Sequence, residues 1–159
     1  MKPKVYIETS VISYLTSRPS ENLIVAARQQ ITRNWWESRR GGYELFVSEL
    51  VVNEAADGDA AAAAARLEAI DDLALIDVGE EAEALSEVFM ARDLVPRTAV
   101  EDAIHLAVAV VSGMDYLLTW NFSHIANAQL RRRIGAMSID QGYESPVICT
   151  PEELMEPKL

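Results

Sequence analysis

The sequence predicts an α/β fold built on a mainly parallel sheet, and three observations carry that expectation. Five short apolar runs read as strands: Lys4–Ile7, Tyr43–Val47, Leu73–Val78, Tyr116–Leu118 and Val147–Cys149. The segments between them are longer and helical in composition, so strands and helices alternate. Helix-start signals fall inside those intervening segments.

Taken in chain order, Val5-Tyr6-Ile7 is a buried-strand run that stops on a carboxylate, Glu8, followed by the hydroxyls Thr9 and Ser10. Helices are expected at about 9–17 and 21–40, the second ending at Arg39-Arg40 before Gly41-Gly42, as cations and glycine favour. After the second strand, about 48–69 reads as two helices broken at Gly58. Its alanine-rich stretch 55–65 is helical because alanine is the best helix former. Further helices are expected at about 80–93, 98–113 and 123–134. Thr98-Ala99-Val100-Glu101 has the spacing of a capping box, with Pro96 marking the boundary. Thr150-Pro151-Glu152-Glu153 repeats that signal near the C-terminus. Arg131-Arg132-Arg133 is placed in the last turn of its helix, where cations suit the dipole.

The bulk properties bound the function. A length of 159 residues without internal repeat or linker predicts one domain over residues 1–159. The hydrophobic content is 50% and the charged content 25%, an ordinary globular composition. A net charge of −11 weighs against broad electrostatic binding of nucleic acid, which needs a basic footprint. The one cysteine, Cys149, excludes an intrachain disulfide and points to a reducing cytoplasm, with the thiol buried and inert. No secretory signal and no membrane-spanning run is visible.

In a parallel sheet the crossover helices begin at the carboxyl edge, where open α/β folds bind ligands. Glu8 follows the first strand. Glu54 lies on the helix after the second. Asp102 opens the helix before the fourth strand, and Asn121 follows that strand. All four are expected at one edge. Singly, each acid is as well explained by a helix dipole or by solvent. Together they need a compensating charge, and no lysine or arginine accompanies them locally. An oxygen-only donor set favours Mg²⁺ or Mn²⁺. Glu101 and Glu49 are assigned to helix starts. His105 is expected to be structural, with the cleft rim as the alternative, and His124 to be structural, with substrate contact as the alternative. Of Trp35-Trp36, one is expected in the core and the other at a partner interface. Trp120 either stacks on a base or covers the sheet edge.

These residues resemble the PIN-domain family, which includes the VapC-type toxins. The resemblance rests on "YIETSV", "SELVVNEA", "EDAIHLAVA" and "LLTWNF", taken in order. It implies a three-layer α/β/α fold with a central five-stranded sheet, a Mg²⁺- or Mn²⁺-dependent ribonuclease, an antitoxin partner and a homodimer. It also implies a catalytic set of Glu8, Glu54, Asp102 and Asn121, with Glu8, Glu54 and Asp102 as metal ligands. Glu8 and Asp102 would bind directly and Glu54 directly or through water, while Asn121 orients a water. Two positions depart from the family pattern: Glu8 replaces an aspartate, and Asn121 replaces an acid. Three carboxylates suffice for one ion, and a second would be held less well.

Two other functions compete. One is a PIN-fold module that binds RNA or protein with little or no nuclease activity. The other is a phosphoryl-accepting receiver, which requires a lysine after the last strand, where this chain has Thr150-Pro151.

Overall fold

The computed structural model describes residues 1–156. It contains five strands, β1 (Lys4–Ile7), β2 (Glu44–Ser48), β3 (Ala74–Ile76), β4 (Tyr116–Leu118) and β5 (Val147–Cys149). The α-helices are α1 (Thr9–Thr16), α2 (Leu23–Ser38), α3 (Glu49–Ala55), α4 (Ala60–Ile70), α5 (Glu80–Ala91), α6 (Val100–Val111) and α7 (Ala128–Asp140). The sheet order is β3-β2-β1-β4-β5, and every neighbouring pair is parallel. The architecture is therefore the expected three-layer α/β/α, with a sheet that is parallel throughout.

The first three strands build outward in one direction from β1, and β4 and β5 build in the other. β1 is consequently central and buried on both faces, which its sequence allows because Val5, Tyr6 and Ile7 are all 0% exposed. The reversal of direction between β1 and β4 opens a crevice at their carboxyl ends. Leu117 and Leu118 on β4 are likewise fully buried, and Val108, Ala109 and Val110 of α6 belong to the same core.

Several local expectations hold. The long alanine segment breaks at Gly58, whose φ of +84° suits a residue without Cβ. Asp59 then caps α4 by accepting from the Ala62 amide at 3.0 Å. Thr150 and Glu153 form the reciprocal capping pair, at 3.1 and 3.3 Å, although only a turn follows. Cys149 is buried, and burial pushes its thiol up to about 12. Trp35 is core, whereas Trp36 is half-buried with the Arg40 guanidinium 4.4 Å over its ring.

Other expectations are corrected. The capping box at Thr98 does not form: Arg97–Ala99 makes a 3-10 turn, and α6 begins at Val100 without a side-chain cap. Pro96 fixes the entry so that Thr98 lies inside the turn. The helix expected at 123–134 is displaced to α7. Asn121 folds residues 121–126 into a turn, accepting from the Ile125 and Ala126 amides at 3.2 and 2.7 Å. Asn127 then supplies the cap, accepting from the Gln129 amide at 2.9 Å. Arg131-Arg132-Arg133 therefore lies near the start of α7, not at a helix end. Arg131 instead holds Glu153 through two bonds of 3.0 Å. Arg39 and Arg40 also fall just past α2, which ends at Ser38.

Leu117→Ala should destabilise the fold by ~2–5 kcal/mol, since a central-strand side chain leaves a cavity the sheet cannot close. Urea unfolding measures the loss.

Candidate functional site

Glu8 ends β1 and caps α1. Its carboxylate turns back onto its own chain: Oε2 accepts from the Ser10 amide at 3.0 Å, and Oε1 accepts from the Ser10 hydroxyl at 2.5 Å. The Thr119 hydroxyl, from just beyond β4, donates to the same Oε1 at 2.5 Å. Glu8 is 5% exposed, with no lysine or arginine ion-paired to it among the described residues. Three donors from β1 and β4 ends carry its charge.

Glu54 sits in the last turn of α3, which Ser48 starts by accepting from the Val51 amide. Its Oε1 accepts from the Thr9 hydroxyl at 2.7 Å and lies 2.6 Å from Nε2 of His105. His105 comes from α6 and is 1% exposed. Its Nδ1 is 2.7 Å from the Tyr6 hydroxyl, which is 2.8 Å from the Ser48 hydroxyl. A buried chain of contacts thus runs Ser48–Tyr6–His105–Glu54–Thr9 and ties β1, β2, α3 and α6 together.

The electrostatics agree with that geometry. Burial pulls His105 down, but the Glu54 bond and the fields of Glu8, Glu54 and Asp102 outweigh it and hold the imidazole above its ordinary 6.5. Burial pushes Glu54 up, yet the His105 bond and charge and the Thr9 bond bring it below its ordinary 4.5. Burial pushes the Tyr6 phenol up; the Ser48 bond opposes this and the Glu8 and Glu54 charges add to it. All three candidate carboxylates therefore act on one imidazole.

Asp102 lies in the first turn of α6, and its Oδ2 is 2.8 Å from Nδ1 of His124. Asn121 has a local role: its Oδ1 accepts from the His124 amide at 3.0 Å. Both histidines of the chain thus pair with candidate carboxylates. The sequence alone favours a structural role for both histidines and shows neither pairing. His105 and Glu54 are 51 positions apart, and no local signal joins them.

An open cleft of ≈ 520 Å³ lies over the edge, with Glu54, Asp57, Glu101, Asp102 and His124 among its walls. Glu8 does not line it. Glu54 Oε2 and Asp102 Oδ1 have no hydrogen-bond partner among the described residues. No three His, Cys, Asp or Glu side chains among those residues are grouped closely enough to hold a metal by themselves. Beyond Asn121 a second, apolar groove of ≈ 560 Å³ runs along α2. Leu23 and Ile24 there are 86% and 64% exposed, and the Arg28 guanidinium lies 4.7 Å over the Phe122 ring. Trp120 is largely buried and forms part of the wall of this groove, its indole N–H donating to Thr32 at 2.9 Å.

This sheet order, with acids gathered at the central crevice, is the fold of a VapC-like PIN domain. VapC20 of Mycobacterium tuberculosis, a toxin that cleaves the sarcin–ricin loop, matches at a TM-score of 0.59 and 17% identity, over 76% of this chain and 92% of its own. A chain of VapBC2 from Rickettsia felis, solved with a DNA fragment from its promoter, matches at 0.58 and 10% identity, over 92% of this chain and 98% of its own. No family model matches the chain, and no curated protein matches its sequence. The likeness is one of fold.

The His105–Glu54 pair has a pH signature. His105, raised above 6.5, stabilises the fold fully below that pH and loses its contribution as pH rises through its folded value. Glu54, lowered below 4.5, contributes above that pH and loses its share as pH falls through its folded value. The pair counts most between pH 4.5 and 6.5. His105→Gln should therefore lose more stability at about pH 5.5 than at about pH 9. Equal losses in urea unfolding at both would mean an uncharged contact.

Proposed function

We propose that this chain is a Mg²⁺- or Mn²⁺-dependent ribonuclease of PIN type, folded as one domain and acting in the cytoplasm as the toxin of a toxin–antitoxin pair. The observation that carries this reading is the pair of unpartnered carboxylate oxygens, Glu54 Oε2 and Asp102 Oδ1, on the walls of one cleft. A hard divalent cation fits that donor set. Mg²⁺ commonly binds through one or two carboxylates, waters and substrate phosphates, and needs no closed cage of protein ligands. Two oxygens on the wall suit this better than a grouped triad.

Glu54 and Asp102 would hold the cation. Glu8, whose oxygens are taken by Ser10 and Thr119, acts through its charge instead of as the direct ligand that the resemblance implied. When bound, the cation supplies a Lewis acid for the phosphate and lowers the pKa of a coordinated water. The chain's own residues orient the set: His105 and Thr9 fix one oxygen of Glu54, so that the other faces the cleft. Asn121 positions the turn that carries His124. An RNA phosphate meets negative walls here, so the cation is also what makes the cleft receptive.

The partner part of this reading is supported by the apolar groove along α2. Exposed Leu23 and Ile24 beside Phe122 suit the apolar face of an antitoxin segment. The chain forms a homodimer in this reading, and light scattering measures it. Among the described residues no helix is long and apolar enough to cross a membrane.

A second reading, a PIN-fold RNA- or protein-binding module with little or no nuclease activity, is favoured by Asn121, whose carboxamide oxygen is engaged by the His124 amide. Metal and cleavage separate the two. Millimolar Mn²⁺ at a hundredfold excess over its dissociation constant should stabilise the fold by ~2.7 kcal/mol. Asp102→Asn should abolish both that gain and RNA cleavage while still folding. An unaltered melting temperature with Mn²⁺, together with RNA binding but no cleavage, would establish the binding module instead.

A further inference from the structure

Among the described residues no lysine or arginine lines the cleft, whereas Glu54, Asp57, Glu101 and Asp102 do. Such a wall repels a phosphate wherever no cation intervenes. What a nucleic-acid strand can offer it directly is a neutral hydrogen-bonding group. His124, which lines the same cleft, is held ready to meet one. Its backbone is fixed by Asn121, whose side chain accepts from the His124 amide at 3.0 Å and whose carbonyl accepts from the Ile125 and Ala126 amides. Its ring is fixed by Asp102: Nδ1 lies 2.8 Å from Oδ2, and because a carboxylate only accepts, Nδ1 carries the proton and donates. Nε2 has no hydrogen-bond partner among the described residues, in a side chain that is 36% exposed.

We propose that Nε2 of His124 hydrogen-bonds a ribose 2′-hydroxyl of the strand in the cleft, and that this contact makes the site select RNA over DNA. The proposal rests on the ribonuclease reading above and names a residue that sets its specificity. A 2′-hydroxyl both donates and accepts, and it is the group that tells RNA from DNA. The contact therefore forms whether or not Nε2 carries a proton, and it needs no ion on His124. A deoxyribose leaves Nε2 without a partner once the strand has displaced water from it. A site built to bond a hydroxyl discriminates against the analogue that lacks one. The Asp102 bond contributes by fixing the ring before the strand arrives, so that little side-chain freedom is lost on binding.

The test uses the full chain with Mn²⁺ and a mixed-sequence single-stranded RNA oligonucleotide whose cleaved bond has first been mapped. Copies carrying one 2′-deoxyribose, placed in turn at each nucleotide flanking that bond, are compared for the wild type and His124→Asn. Asparagine keeps an amide nitrogen close to the place of Nδ1, so a bond to Asp102 survives, but it lacks Nε2. One deoxy position should lower the wild-type kcat/KM about tenfold. His124→Asn should lower it by a similar factor on the all-ribose strand and lose nothing further at that deoxy position, because hydroxyl and ring nitrogen are the two ends of one bond. His124→Gln, whose amide reaches the place of Nε2, should recover part of the discrimination. Equal deoxy losses in the wild type and a folded His124→Asn, or no deoxy effect in the wild type, would overturn the contact and leave the ribonuclease reading standing. A wild type that binds the RNA without cleaving it would overturn that reading, and the same comparison at every nucleotide, made on dissociation constants, then decides the contact. Neither binding nor cleavage would overturn both. Should His124→Asn fail to fold, His124→Ala takes its place in the comparison.

Discussion

Among the described residues no lysine or arginine pairs with Glu8, Glu54 or Asp102, and the surrounding hydrogen bonds answer the charge of each. Each acid is relieved differently. Glu8 is buried and spread over three hydrogen bonds from Ser10 and Thr119. Glu54 is set against an imidazole that its own field helps to protonate. Asp102 faces the more exposed histidine. Relief by hydrogen bonds works where burial would otherwise make a bare charge prohibitive. The hydroxyls Tyr6, Thr9, Ser10, Ser48 and Thr119 are therefore part of the same electrostatic arrangement as the acids. Replacing any of them by an apolar residue of similar size would leave a polar partner unsatisfied.

The topology makes this convergence possible. Because β1 is central and the chain reverses its direction of sheet growth there, the ends of β1 and β4 meet at the crevice. α3 and α6 then deliver Glu54 and Asp102 from opposite directions in sequence. His105 lies on the buried face of α6 and Asp102 near its exposed start, so one helix serves both the core relay and the cleft wall. Fold stability and site geometry are coupled through that helix.

Much of this was legible beforehand, because it rests on periodicity and punctuation. The five apolar runs became the five strands to within one or two residues. Gly58 broke the alanine segment because its φ demanded it, and alternation predicted the parallel sheet. What was hidden depended on side-chain direction and on distant pairings. Nothing local in "VYIETSV" tells whether Glu8 faces the cleft or folds back on Ser10. The two histidines acquired their partners only in three dimensions. The false helix start at Thr98 and the early start of the last helix share another cause. In both places a backbone turn, set by Pro96 or by Asn121, comes before the helix and delays its start.

The bond between Thr119 and Glu8 spans 111 positions and closes the two halves of the sheet upon each other. On a ribosome, Glu8 is made well before β4, the strand that covers the open side of β1. Until β4 docks, β1 has one bare edge, and Glu8 lacks a donor. A polypeptide halted before residue 116 carries Glu8, Glu54 and Asp102 but has neither the strand nor the turn that completes their surroundings. The cleft is thus assembled late, and incomplete translation products are built without it.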